Sequence, residues 1–404
     1  MRLTLDGPEI PDALVKAQER GEALFVCGAG VSRGAGLPLF RGLVEAVYAC
    51  LGERWEDHPA EREVMADGGR LAAQYDRMLR ALERRLAAPD VRHSQTMRDR
   101  IRDAVRRSLA PDPGADLGNH LCLLELSRDP EHRNRLLTTN FDTLFERAWM
   151  RAKGTPLPSH ACQAMPVPRA AAFSGVLHLH GRLADPEVGL GSDTDLVLTS
   201  AEFGDAYLRS GWASRYLYDL VRTHVLVLVG YQAEDPPMRY LLEALEADRE
   251  RYADLKRVYA FAEAKDGDER LQEALWRAKG VEPILYRVGP DGSHAALYGT
   301  LREWCRYAED PTAWRRARLA TLLSADPVSF DEAGFGEVVT LLGHGDAGRV
   351  LGDLSPSAAW LPVLVGRGVL GQGATSAGPW IASRVADAEM VRACATAPPA
   401  GDAW

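Results

Sequence analysis

Residues 28–41 read Gly-Ala-Gly-Val-Ser-Arg-Gly-Ala-Gly-Leu-Pro-Leu-Phe-Arg and follow directly on the apolar run Ala23-Leu24-Phe25-Val26-Cys27. A buried strand that empties into a glycine-rich loop suits a pyrophosphate. Glycine lets the backbone come close with its N–H groups turned inward, and a following helix adds its N-terminus. The spacing is that of neither common phosphate loop. A G-x-G-x-x-G fingerprint needs glycine where Arg33 stands, the next one being Gly34, and the G-K-[ST] of a P-loop is absent. Gly28, Gly30, Gly34 and Gly36, interleaved with Ala29, Ser32 and Ala35, give more freedom than an ordinary strand-to-helix turn uses, which favours dinucleotide binding over a plain turn.

Three later segments carry further reactive or binding groups. In Thr138-Thr139-Asn140-Phe141-Asp142, either Asn140 or Asp142 can cap the helix that begins near Thr143, or face a ligand. His178 and His180 alternate along a strand and so share a face, as a metal pair or as interior histidines. A metal would need more ligands, and no second histidine cluster or H-x-x-E-H spacing supplies them. Gly230 ends the apolar run His224 to Val229, where close backbone approach explains it, and Asp235 before Pro236-Pro237 is a ligand contact or a helix cap.

These groups lie up to about 200 residues apart, so the fold must bring them together. Short β-rich apolar runs predict strands at 23–27, 135–139, 175–180, 195–199, 224–229, 257–262 and 282–286. Helical spacing lies between several of them, as in Leu71, Tyr75, Leu79, Leu82 and Leu86, or Ile101, Val105 and Leu109. Alternation of this kind predicts an α/β fold with a Rossmann-like, mostly parallel sheet, whose strand carboxyl ends face the ligand. Residues of about 50–115 read as a helical lobe inserted between the first two strands. From about 311 to 404 strand signals become sparse, which predicts a separate C-terminal α-helical region beside a 1–310 domain.

In order and spacing, the four blocks resemble the sirtuin signature, a G-A-G-[IV]-S loop with G-[IL]-P-x-F-R, then the Asn-x-Asp segment, the His-Gly and a strand-end glycine. They cover roughly residues 23–262. Gly230-Tyr231 with Asp235, in place of G-[TS]-S, is similar to the sirtuin-like NAD hydrolases of bacterial antiphage defence systems. That resemblance implies an NAD site formed by Gly28, Ala29, Gly30, Ser32, Phe40, Arg41, Gly230, Tyr231 and Asp235. It assigns Asn140 to the reactive ribose and its water, Asp142 to the nicotinamide carboxamide and His180 to general base, with His178 structural. It further implies NAD+ as substrate, cleaved to ADP-ribose and nicotinamide so that NAD+ is depleted during defence, and a homo-oligomer, joined in some members by a partner ATPase of the DNA-translocase type. The alternatives are a non-catalytic NAD- or ADP-ribose-binding regulatory module and an NAD-dependent protein deacylase. The chain departs from the deacylases at Leu39, where they carry Asp, at Thr139, where they carry Gln, and in lacking their four-cysteine zinc module.

Composition sets outer limits. At 404 residues and 46% hydrophobic content the chain exceeds one average domain and can bury a large core. No apolar run of about 18 residues and no basic-then-apolar start is present, so the expectation is a cytoplasmic chain without a membrane span. The six cysteines are scattered without a C-x-x-C pair, which argues against a disulfide framework or a zinc ribbon and for no metal. A net charge of −9 disfavours nucleic-acid binding by the whole surface. Residues 77–107 nevertheless hold ten arginines against four acids, as a solvated helical face, or for salt pairing with an acidic partner or attraction of nucleic acid or a nucleotide. Elemental analysis of the purified chain is expected to find no stoichiometric zinc, and about one zinc per chain would overturn this reading and reopen deacylation.

Overall fold

The structure, a computed structural model, describes residues 1–4, 6–66, 74–87, 91–168, 173–233, 236–249, 251–252, 255–343 and 347–370, with 380, 392 and 395. The chain divides into two compact units, Leu3–Cys305 and the residues from Arg306 onward.

The first unit opens with α1 (Asp12–Glu19), β1 (Ala23–Cys27) and the short α2 (Ala29–Arg33). The lobe helices follow: α3 (Phe40–Leu51), α4 (Pro59–Ala66), α5 (Tyr75–Leu86) and α6 (Val91–Ser108). Next come α7 (Gly118–Leu126), β2 (Arg135–Thr138), α8 (Leu144–Lys153), β3 (Ser159–Ala161) and β4 (Gly175–His178). The unit continues through α9 (Ser200–Gly204), α10 (Trp212–Thr223), β5 (Val225–Val229), α11 (Pro236–Arg249), β6 (Val258–Ala264), α12 (Glu269–Arg277) and β7 (Glu282–Arg287), and α13 (Ala295–Glu309) runs across the division.

The seven strands form one parallel sheet in the order β3-β4-β2-β1-β5-β6-β7. A strand covered on both faces has no reason to alternate polar and apolar residues, and β1 and β5 are accordingly apolar and buried throughout. Leu24 and Val26 pack with Leu220, Leu242 and Trp276 from α10, α11 and α12. Phe25, whose side chain takes the other face, sets its ring edge-on to Trp304 of α13 at 5.8 Å.

Two strand expectations need correction. Residues 195–198 join no strand; Leu196 and Leu198 are buried against the lobe, and Thr199 opens α9 through a capping box with Glu202. Their apolar character serves helix packing instead of sheet pairing. The three-residue edge strand β3, Ser-His-Ala, carries no apolar run that would announce it. β2 and β4 also end earlier than expected, at Thr138 and His178, so that Asn140, Asp142 and His180 stand on the loops beyond them.

The lobe forms a second core, in which Val44, Leu79 and Val105 pack with Phe141, Leu144 and Leu196 near the sheet. Among the described residues five of its arginines meet carboxylates. Arg80 and Arg98 meet the buried Glu83 at 2.6 and 2.7 Å, and Arg85 meets the buried Glu61 at 2.7 Å. Arg106 pairs with Asp103 and Asp193, and Arg102 lies 3.8 Å from Asp195. On these helices, whose arginines were expected as a solvated face, the five are ion-paired, with Arg98 and Arg106 still partly open to solvent.

In the second unit α14 (Pro311–Ser324) starts on Asp310, whose carboxylate accepts from the N–H groups of Thr312 and Ala313. It is followed by α15 (Glu332–Leu342), α16 (Ala347–Leu354) and α17 (Trp360–Gly366). Trp360 packs on Phe330 and Phe335 at ring distances of 5.2 and 6.1 Å, and Arg318 holds Glu337 through two hydrogen bonds of 2.7 and 3.1 Å. No helix of the described residues is long and apolar enough to cross a membrane.

The glycines of the first loop differ in what they do. Gly30 donates its N–H to Gly230 O at 2.9 Å, and a Cβ on Gly30 would lie 2.8 Å from Gly230 Cα. Gly230 itself has φ +59° and a Cβ there would lie 2.6 Å from Val31 N, whereas at Gly34, with φ −64°, the nearest outside atom to a Cβ is 3.9 Å away. Gly230→Ala is expected to cost about 2–4 kcal/mol in chemical denaturation, through strain and displaced backbone, while Gly34→Ala stays within about 0.5 kcal/mol. Equal tolerance at both positions would show that the crossing does not constrain the fold.

Candidate functional site

A cavity of about 750 Å³ opens at the carboxyl ends of the central strands, where a doubly covered parallel sheet leaves its crevice. β1 and α2 bring Ala29, Gly30 and Ser32 to it, and the start of α3 brings Phe40 and Arg41. The loop after β2 brings Asn140 and Asp142, the turn after β4 brings His180, and the turn after β5 brings Gly230 and Tyr231. Gly28 is not on the cavity wall; it lies under Gly230 and Tyr231, at 2.6 and 2.7 Å from where its Cβ would be. Asp235 lies outside the described residues.

The glycine loop offers fewer amides than its composition promises. The N–H groups of Gly28, Gly30 and Val31 donate to Val229, Gly230 and Gly28 carbonyls at 3.0, 2.9 and 3.1 Å. Cationic side chains make up part of the difference. Arg33, the residue that breaks the dinucleotide fingerprint, lines the cavity together with Arg41 and Lys279. Only Arg41 among these three was singled out by a motif; the spacing around Arg33 counted against a loop, and Lys279 lies in no motif.

On the cavity floor the polar groups form one network. Asn140 Nδ2 donates to Ser32 Oγ at 3.1 Å and to Gly28 O at 3.3 Å, and its backbone N–H donates to Thr138 Oγ1 at 3.1 Å. Ser32 Oγ donates to Asp142 Oδ2 at 2.9 Å, so Ser32 ties Asn140 to Asp142, with His120 Nε2 3.3 Å away. Asp142 Oδ1 accepts from Leu144 N–H at 3.2 Å in a turn just ahead of α8, whose N-cap position is Thr143 and not Asp142, while Oδ2 takes the Ser32 hydroxyl. Burial holds the Asp142 carboxyl above the usual carboxylate range, against the pull of these hydrogen bonds and of His178.

The two histidines have separate surroundings, contrary to the shared face their alternation suggests. His178 is wholly buried, with Nδ1 3.0 Å from Asn140 O and Nε2 2.8 Å from Glu146 Oε1, which also accepts from Ser159 Oγ at 2.6 Å. A carbonyl and a carboxylate only accept, so an ionised Glu146 requires a proton on both nitrogens of His178. Burial works against that cation, but Glu146, joined by the Asn140 carbonyl and Asp142, raises the His178 pKa on balance, and His178 helps to lower that of Glu146 against its own burial. His180, in contrast, faces Phe203 and Tyr207, and burial without a charged partner pushes its pKa down to about 3. Its ring is neutral at physiological pH. Among the described residues no group of three or more His, Cys, Asp or Glu is placed to hold a metal ion.

Residues 134–284, which carry Asn140, Asp142, His180 and Gly230, match the family model of the SIR2-like domain. The uncharacterized protein y4cA of Sinorhizobium fredii is 44% identical over 332 residues, covering 81% of this chain and 26% of its own length, so the chain spans about a quarter of that curated relative. Solved structures with similarity include a Sir2 homologue in complex with NAD, at 15% identity and a TM-score of 0.35, covering 76% of this chain and 97% of that one. A second, a Sir2 enzyme, has 15% identity and a TM-score of 0.36 and covers 75% of this chain and 100% of that one.

The His178–Glu146 pair supports Asn140 through its backbone carbonyl, and its two ends should respond differently to substitution. Removal of one partner from a buried pair leaves the other charge uncompensated, which costs about 3–5 kcal/mol. Glu146→Gln preserves the shape and lets a neutral His178 keep its Nδ1–H on Asn140 while Nε2 accepts from the new amide. Urea denaturation is expected to show His178→Ala destabilised by about 3–5 kcal/mol and Glu146→Gln by less than half as much; equal losses would remove the ionised pair from the account.

Proposed function

We propose that the chain is an NAD+ glycohydrolase, which cleaves the nicotinamide–ribose bond with water to release nicotinamide and ADP-ribose. The observation that carries this reading is the convergence of Asn140, Asp142 and His180 on the floor of one cleft within the stretch that matches the SIR2-like domain. Arg33, Arg41 and Lys279 on the same cavity wall supply positive charge suited to a diphosphate.

The chemistry asks more for positioning than for proton transfer. The pyridinium is already cationic, so the C1′–N bond breaks with its electron pair returning to the ring; nicotinamide leaves neutral and an oxocarbenium-like ribose remains. A neutral His180 adds no charge against that cation, and the buried imidazolium of His178 is matched by Glu146. Water then adds through its oxygen to C1′ and loses a proton, which this reading gives to His180 on the lining of the same cavity. Remote binding of the diphosphate holds the ribose at this point. Asn140 orients the ribose and the water, and Asp142 takes the carboxamide. NAD+ depletion in antiphage defence, a cytoplasmic setting, a homo-oligomeric assembly and a partner ATPase of the DNA-translocase type belong to the same proposal, and rest on the resemblance of the four sequence blocks.

A non-catalytic NAD- or ADP-ribose-binding module is the second reading. It draws on one observation, that the Asn140 amide is engaged by Ser32 and Gly28. The test is to incubate the chain with NAD+ and follow nicotinamide by chromatography, with and without an acyl-lysine peptide. Release without peptide is expected, reduced about 100-fold or more in Asn140→Ala and in His180→Ala variants that melt like the unaltered chain. Binding without release would favour the module, and release only with peptide would favour deacylation.

A further inference from the structure

Among the described residues the imidazole of His180 has a single hydrogen-bond partner, the phenolic oxygen of Tyr207, 2.8 Å from Nε2. No motif marks Tyr207. It sits in Asp205–Arg209, a turn of π-helix between α9 and α10, a form that appears frequently at functional sites. Ser214 Oγ donates to the Tyr207 carbonyl at 2.7 Å, and the N–H groups of Ser210 and Gly211 donate to Asp205 O at 2.9 and 3.3 Å. Gly211, at φ +62°, turns the chain into α10. Tyr207 is 3% exposed and its ring stacks on Phe203 at 6.0 Å, and both rings stand edge-on to His180, at 5.9 and 5.0 Å. Tyr207 therefore has little freedom to leave the imidazole.

A neutral imidazole carries one N–H and one lone pair, and whichever nitrogen holds the proton cannot accept another. Nε2 is taken by Tyr207, while Nδ1 has no hydrogen bond among the described residues and the ring lines the cavity. We infer that Tyr207 is a positioning residue for the proposed NAD+ cleavage: its oxygen accepts the Nε2–H of His180 and so leaves the lone pair on Nδ1 for the proton of the attacking water. When water adds to C1′, its proton passes to Nδ1, and the imidazolium keeps its Nε2–H on Tyr207 until Nδ1 returns the proton to solvent. A phenol, unlike a carboxylate, supplies no negative charge to stabilise that imidazolium. The base is therefore weak and acts on water already bonding to the oxocarbenium, not on free water.

The inference rests on the NAD+ glycohydrolase reading, and its test separates the two. Tyr207→Phe keeps the ring and its stacking and removes only the oxygen. In the full chain, kcat for nicotinamide release is expected to fall about 10- to 100-fold with KM for NAD+ changed by less than about threefold, since proton transfer is lost and substrate contact is not. In ¹⁵N-labelled chain, with ring signals assigned by comparison with His180→Ala, His180 is expected as the Nε2–H tautomer in the unaltered protein and as a mixture of tautomers in Tyr207→Phe. An Nδ1–H tautomer in the unaltered protein, or a Tyr207→Phe variant with unchanged or higher kcat, would overturn the inference. If the unaltered chain releases no nicotinamide, the glycohydrolase reading fails, while its His180 tautomer still decides what Tyr207 does. The same spectrum of the unaltered chain suffices if Tyr207→Phe does not fold.

Discussion

Two loops from distant parts of the chain touch backbone to backbone where β1 and β5 end, and the cleft depends on that contact. Gly28, Gly30 and Gly230 permit it because no side chain stands between the loops, and the Gly30 N–H to Gly230 O hydrogen bond closes it. With that crossing in place, Ser32 is held where its hydroxyl reaches Asp142 and receives Asn140, and the floor of the cavity is complete. A loop composition that suggests phosphate binding thus has a prior structural use: three of its amides hold the fold, and the positive charge on the cavity wall comes from Arg33, Arg41 and Lys279.

Below the floor, charge is placed with care for what burial costs. The His178–Glu146 pair lies in an interior where neither member would remain ionised alone. It anchors the Asn140 backbone and, through Ser159, the edge strand β3. His180, two residues further on, receives no such partner and stays neutral. The two histidines, one ending a strand and one in its turn, are thereby given opposite protonation states by what faces them.

Much of the architecture was legible because a strand buried on both faces must be an apolar run: β1 and β5 announce themselves in this way, and the parallel sheet follows from the helices between. The same rule misread 195–199, whose apolar residues are buried by helices, and passed over β3, whose three residues need no apolar pattern at an edge. In the site, Asn140, Asp142 and His180 stood out through local spacing at strand ends. Tyr207, Glu146 and Lys279 did not, because each acquires its meaning from a contact across the fold: Tyr207 meets a ring 27 positions earlier, and Glu146 meets one 32 positions later. Spacing within a segment records what neighbours in sequence do together, and these residues act with neighbours in space.

The strand order also sets a timetable. β1 lies in the middle of the sheet, yet its partners β2 and β5 begin at Arg135 and Val225, so the strand that leaves the ribosome first waits for the whole helical lobe before it gains one neighbour, and gains the other only when β5 is made. At translation rates of about 5–20 residues per second, Gly230 follows Gly30 by roughly 10–40 s. Until it arrives, β1 stays half-paired and the cleft has no second wall, so a nascent chain cannot hold a dinucleotide there. Whatever this site does, it does only as a property of the nearly finished domain.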